Sequence, residues 1–152
     1  VSASGMAAIM LVAQSLVDAG DNVLIIGPLW PNCAGTVEVM GGEARSVPLK
    51  PDENGVWHLD MNDVAAACDE RTRAIYVNSP GNPTGVVLSA KEMNDLVRLC
   101  EDRGIMLISD EIYDLFTYSS ARDDRGRCPS APCHSRNVLL IRGYGKNYGC
   151  TG

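Results

Sequence analysis

Apolar residues along this chain gather into short unbroken runs, each closed by turn-forming residues. Val23-Leu24-Ile25-Ile26 stops at Gly27-Pro28, and Ala74-Ile75-Tyr76-Val77-Asn78 breaks into Ser79-Pro80-Gly81. Ile105-Met106-Leu107-Ile108 leads into Ser109-Asp110-Glu111, and Val138-Leu139-Leu140-Ile141 leads into Arg142-Gly143. Continuous apolar runs of this length predict strands buried on both faces, as in a parallel sheet. Helical patterns alternate with them. Ser89 and Glu92 form a capping box, Met93, Leu96, Val97 and Cys100 make one apolar stripe, and Gly104 supplies the stop. Met6 to about Val17 is apolar nearly all round, which predicts a helix buried in a large core. Met61 to Cys68 reads as a shorter helix capped by Asp60, and Pro31 suits the first position of a helix ending at Gly41-Gly42. Strands alternating with helices predict an α/β fold.

Polar groups of complementary chemistry stand where these strands give way to loops: the Asn82 amide, the Asp110 carboxylate, the Tyr113 phenol and the Lys146 amine. Ligands of open α/β sheets bind at the carboxyl ends of the strands, so the four groups are expected in one site. The set suits a pyridine aldehyde cofactor. Each residue also has a plainer reading: an Asn-Pro turn for Asn82, a helix N-cap for Asp110, core packing for Tyr113 and an ordinary surface position for Lys146. Ser4-Gly5-Met6 enters the first helix, where free N–H groups and the dipole favour an anion or simply a capped start. Glu111 reads as structural or solvated and is placed outside the site.

The chain resembles the large domain of a fold-type I pyridoxal-phosphate aminotransferase of the aspartate aminotransferase-like class I/II group. The resemblance rests on Asn78-Ser79-Pro80-Gly81-Asn82-Pro83-Thr84-Gly85, on Ser109-Asp110-Glu111-Ile112-Tyr113 and on Lys146-Asn147-Tyr148-Gly149-Cys150-Thr151-Gly152, in the family's order and close to its spacing. It extends over residues 1–152 and implies a three-layer α-β-α sandwich with a mostly parallel sheet. It implies pyridoxal 5'-phosphate as cofactor and transfer of an amino group from an amino acid to a 2-oxo acid. Lys146 would form the Schiff base and move the substrate proton, Asp110 would pair with the pyridine nitrogen, and Asn82 and Tyr113 would bond the ring oxygen. Trp30 would stack on the ring, with a core tryptophan as its plainer reading, and Ser4, Gly5 and Met6 would cradle the phosphate. Trp57 has no comparable case. A homodimer with sites at the subunit interface is a further implication.

The chain departs from the pattern at Gly143 and Gly145, where many members carry serine and use one hydroxyl on the phosphate. The family's arginine shortly after Thr151-Gly152 lies beyond the last residue, and Val1 is not an initiator methionine. Both features predict an internal piece of a longer protein, without the small domain and most of the N-terminal segment. The isolated 152-residue chain is therefore expected to lack transamination activity, and steady turnover in a coupled assay would contradict this. Fold-type I β-lyases and cyclopropane-forming synthases share these residues and remain an alternative outcome. A non-catalytic aminotransferase-like sensor domain of a transcription regulator is another, marked by a basic helix-turn-helix upstream. A nicotinamide-binding domain is excluded, because Gly27-Pro28-Leu29-Trp30-Pro31 does not supply the glycine fingerprint.

Composition narrows the surroundings. A net charge of −6 argues against a nucleic-acid partner. No apolar run is long enough to span a membrane, and no basic residues precede the apolar stretch from Met6, so the cytoplasm is expected. Cys33, Cys68, Cys100 and Cys150 are scattered, as in a reduced cytosolic enzyme. Cys128, Cys133 and His134 form the single cluster, which could clip a metal or close a disulfide but lacks a fourth zinc ligand; no metal is expected. The polar stretch from about Tyr118 to Arg136 reads as a surface excursion.

Overall fold

The computed structural model describes residues 1–150; Thr151 and Gly152, which close the third motif, lie outside the described residues. In chain order the elements are α1 (Gly5–Leu16), β1 (Asn22–Gly27), α2 (Asn32–Val39), β2 (Glu43–Pro48), β3 (Lys50–Pro51), β4 (Trp57–His58), α3 (Met61–Ala67), β5 (Thr72–Asn78), α4 (Ala90–Arg103), β6 (Met106–Asp110), β7 (Val138–Ile141) and α5 (Tyr144–Asn147). Single 3-10 turns follow β6 at Asp114–Phe116 and Ser119–Ala121. The main sheet has the order β2-β1-β5-β6-β7, and every neighbouring pair in it is parallel. β3 and β4 form a separate antiparallel pair.

Alternation along each strand divides the core in two. Val23, Ile25, Ala74, Tyr76, Ile108 and Ile141 face α1 and α2, packing with Ile9, Cys33 and Val37. Leu24, Ile26, Ile75, Val77 and Leu107 face α3 and α4, packing with Val64, Met93, Leu96, Val97 and Cys100. Helices on both faces of a parallel sheet make the three-layer α-β-α sandwich that the resemblance implies. The capping box at Ser89 and Glu92 is formed, and α4 ends at Gly104 with φ of 66°, a left-handed geometry that glycine adopts without steric cost.

The structure corrects several local expectations. β2 carries no apolar run; its residues are largely exposed or half-buried and only Val47 is buried, as suits a sheet edge. α1 is not buried all round. Ile9 and Ala13 are its buried residues, while Met6 and Leu11 are exposed, because the sheet covers one side only. Pro31 stands one place before α2, already in a right-handed helical conformation. The excursion after Tyr118 does run over the surface, anchored by Ala131, which is buried in the α3/α4-side core.

Close packing at the α2–β2 turn gives one stability prediction. A Cβ on Gly42 would stand 2.5 Å from Val17 Cγ1, 3.1 Å from Val37 Cγ1 and 3.2 Å from the Asp21 carbonyl oxygen. Gly42→Ala is expected to cost about 1–3 kcal/mol by overpacking, read as a lowered urea midpoint at unchanged slope.

Candidate active site

The site is assembled at the carboxyl edge of the sheet, where the chain runs from β1 toward one side and from β5 toward the other. Asp110 is the last residue of β6 and pairs in register with Asn78, the last residue of β5. Asn78 ties two parts of the edge together: its Nδ2 donates to the Asp110 carbonyl at 3.0 Å, and its Oδ1 accepts the Asn82 N–H at 2.9 Å. The loop carrying Trp30 is joined to the loop carrying Asn82 through a bridge between Leu29 and Pro83. Asn147 Nδ2 donates to Asp114 Oδ1 at 2.6 Å, fastening the turn that bears Lys146 to the turn that follows Tyr113.

Asn82, Tyr113 and Lys146 line one open cleft of about 770 Å³. Pro80, Thr84, Phe116 and Tyr118 also contribute to its walls, and so does Trp57, for which no site role is expected from its sequence context. Tyr113 is steadied by Phe116, edge to face with ring centroids 6.2 Å apart. Lys146 is exposed, on the single turn of α5 beyond the end of β7.

Asp110 does not line the cleft; it is buried at the end of β6, 8% exposed. Its Oδ2 accepts the Tyr76 hydroxyl at 2.6 Å and its Oδ1 accepts the Ile112 N–H at 3.1 Å. Burial pushes the carboxyl above its ordinary range, the bonds from Tyr76 and Ile112 pull it down, and the Glu111 charge adds to the rise. Cys33 faces it from α2, its thiol pushed up to about 12 by burial and then by the Asp110 charge.

A folded carboxyl held above its unfolded value binds protons more readily in the native state. Stability therefore falls as pH rises from the unfolded toward the folded pKa, and ionised Asp110 remains a cost above it. Asp110→Asn is expected to raise the stability of the cofactor-free protein at neutral pH. The gain should shrink as pH falls through the folded pKa of Asp110, measured by urea denaturation at neutral and mildly acidic pH.

Trp30 is exposed and does not line the cleft. Ser4, Gly5 and Met6 lie at the start of α1, with the Ser4 Oγ accepting the Ala7 N–H at 3.1 Å. That end of α1 meets β6 and β7 over one side chain: a Cβ on Gly5 would be 3.5 Å from Ile112 Cδ1, and one on Gly143 only 2.9 Å. Asn32 Nδ2 reaches Met6 Sδ at 3.5 Å, linking the starts of α1 and α2. The predicted residues thus share one edge, with three of them in the cleft itself.

Glu111 is fully buried, on the opposite side of the sheet from Asp110, and is neither solvated nor in the cleft. Its carboxylate accepts from Ser109 Oγ at 3.1 Å, Ser130 Oγ at 2.8 Å, the Ala131 N–H at 2.9 Å and Arg142 Nη2 at 2.7 Å. This network holds the long excursion and the segment leading to Lys146. Tyr76, Asn78 and Arg142 went unassigned from the sequence. A phenol inside a buried strand needs a hydrogen-bond partner, and that was the available signal for Tyr76. All six cysteines are free thiols, Cys128 half-buried and Cys133 exposed. Among the described residues no three His, Cys, Asp or Glu side chains gather as a metal site, and no helix is long and apolar enough to cross a membrane.

The sequence model of the family described as "Aminotransferase class I and II" matches residues 1–152. The chain belongs to the aminotransferase class I and II family. Within it, the chain is 38% identical to a probable aspartate/prephenate aminotransferase of Aquifex aeolicus, over 100% of this chain and 38% of the relative. It is similar to the solved N-succinyldiaminopimelate aminotransferase of Mycobacterium tuberculosis, with a TM-score of 0.85, 30% identity, and coverage of 99% of this chain and 38% of that one. A solved alanine aminotransferase from Pyrococcus furiosus gives a TM-score of 0.83 at 31% identity, covering 95% of this chain and 35% of that one. This member of the class I and II family spans about two fifths of the length of the curated relatives it matches.

Proposed function

We propose that the protein carrying this chain is a pyridoxal 5'-phosphate-dependent aminotransferase, moving an amino group from an amino acid to a 2-oxo acid, and that residues 1–152 are its cofactor-binding large domain. One observation carries the reading: an amide, a phenol and a primary amine, Asn82, Tyr113 and Lys146, line a single cleft, and the buried Asp110 lies at the same sheet edge, tied through Asn78 to Asn82. The donor set fits the cofactor, and Gly5 and Gly143 meet closely over Ile112 at the start of α1. When bound, the cofactor supplies a sink for the electron pair released at the substrate Cα.

Asp110 would hold the proton on the ring nitrogen through its buried charge. Asn82 and Tyr113 would donate to the ring oxygen and orient the ring. Trp30, exposed and outside the cleft lining, would have to approach the ring face to stack on it, a contact worth about 1 kcal/mol. Gly5 and Met6 offer first-turn N–H groups and the positive end of the α1 dipole to the phosphate, with Ser4 capping the turn. Lys146 would condense with the cofactor aldehyde, releasing water, and once freed by substrate its neutral amine would be placed to take the proton from the substrate Cα and deliver it to the product. A homodimer is supported by the apolar groups left exposed at Leu11, Val39, Tyr144 and Tyr148, and the cytoplasm by six free thiols.

The test is cofactor trapping. The protein is incubated with pyridoxal phosphate, reduced with borohydride and mapped by mass spectrometry. Label is expected on Lys146 and is expected to fall when Asp110 is changed to Ala. Label scattered over surface lysines would overturn the assignment.

A further inference from the structure

Among the described residues no cation pairs with Asp110. From β5 it meets Tyr76, from α2 Cys33, from its own segment Glu111, and Tyr113 lies near the same phenol. A buried carboxylate without a cation must be held by hydrogen bonds. Two are present, one on each oxygen, from the Ile112 N–H to Oδ1 and from Tyr76 Oη to Oδ2, and the latter is the shorter at 2.6 Å.

The placement of Tyr76 follows from the sheet. In the parallel pair β5–β6, Tyr76 is registered with Ile108 and Asn78 with Asp110, so Tyr76 and Asp110 are diagonal neighbours on the α1/α2 face. Tyr76 is 3% exposed and packs in the core cluster of that face, so its ring has no freedom to swing away. Burial and the adjacent carboxylate push its phenol far above the ordinary range, which keeps the proton on Tyr76 and makes it the permanent donor.

We infer that Tyr76 is a positioning residue for Asp110: its hydroxyl, together with the Ile112 N–H, pins both carboxylate oxygens so that a remaining lone pair is presented to the cofactor's ring nitrogen. The inference rests on the cofactor reading above. Each carboxylate oxygen can accept two hydrogen bonds, so one bond apiece from the protein fixes the plane of the group and leaves acceptor capacity free. Without Tyr76 the carboxyl would rotate about its Cβ–Cγ bond, and burial would favour its neutral form.

The experiment compares the protein with its Tyr76→Phe and Asp110→Asn variants. Tyr76→Phe keeps the ring and removes only the donor. In the cofactor-free protein, the Asp110 side-chain carbon is followed by 13C NMR titration and assigned by its absence in Asp110→Asn. Tyr76→Phe is expected to raise the midpoint of that titration and to weaken pyridoxal phosphate binding about ten-fold, measured at equilibrium. If Tyr76→Phe fails to fold, site-specific 3-fluorotyrosine at position 76 replaces it. That more acidic phenol donates more strongly and is expected to lower the midpoint. An unchanged Asp110 midpoint in the variant that folds would overturn the inference. Wild-type cofactor affinity in Tyr76→Phe, with affinity lost in Asp110→Asn, would overturn it while leaving the cofactor site intact. Wild-type affinity in Asp110→Asn as well would overturn the cofactor site and the inference together.

Discussion

Changing Lys146 to Ala in the full-length protein is expected to lower transamination by about 10²–10⁴-fold, the range lost when a positioned acid–base group is removed. It should also abolish the borohydride-trapped cofactor peptide. Stability should hardly move, within about 0.5 kcal/mol, because Lys146 is exposed on a single helical turn. Lys146→Arg should fail as badly as Lys146→Ala, since a guanidinium keeps the charge but does not release a proton near neutrality. Single-turnover spectroscopy separates the outcomes. Activity retained in Lys146→Arg would show that charge alone is required and that the proton is carried by another group.

The second large effect is on the fold. Arg142→Ala leaves the Glu111 carboxylate, fully buried, with hydrogen bonds from Ser109, Ser130 and Ala131 but without the cation at 2.7 Å. Breaking a fully buried pair from one side costs about 3–5 kcal/mol; Glu111 is buried but Arg142 is half exposed, so the expected loss lies below that range, at about 1–3 kcal/mol. Glu111→Gln should cost less, because the neutral amide still accepts from the Ala131 N–H and carries no uncompensated charge into the core. The ranking is measured by urea denaturation. If Arg142→Ala were the milder of the two, the guanidinium would be incidental to the network. Arg142 also reaches Asp114 at 3.4 Å, so its loss should loosen the turn fastened to Asn147 beside Lys146.

The interior of this protein was largely readable from its residues, and the edges were not. β1, β5, β6 and β7 announced themselves because strands covered on both faces must be apolar throughout. β2 sits at the margin of the sheet, where Glu43, Arg45 and Ser46 are free to be polar, and nothing in such a run distinguishes strand from loop. α5, one turn with Gly145 inside it, exists by virtue of its neighbours rather than any helical preference. The candidate cleft was legible as far as its residue types and strand ends reached. The bonds that hold it were not: Tyr76 to Asp110 and Arg142 to Glu111 join residues 34 and 31 positions apart. Sequence spacing carries no trace of such pairs until the sheet register is known.

That register sorts two adjacent acids with opposite duties. Asp110 and Glu111 are chemically alike and one peptide bond apart, yet one serves the α1/α2 side and the other is locked among Ser130, Ala131 and Arg142 on the α3/α4 side. Odd and even places along β6 are therefore not interchangeable. Deleting a single residue between Met106 and Ser109 would invert the parity of everything after it, sending the longer acid to the α1/α2 side and the shorter one into a pocket built for an ion pair. In this strand the counting of residues is itself a functional constraint, stricter than the identity of most of the aliphatic side chains being counted.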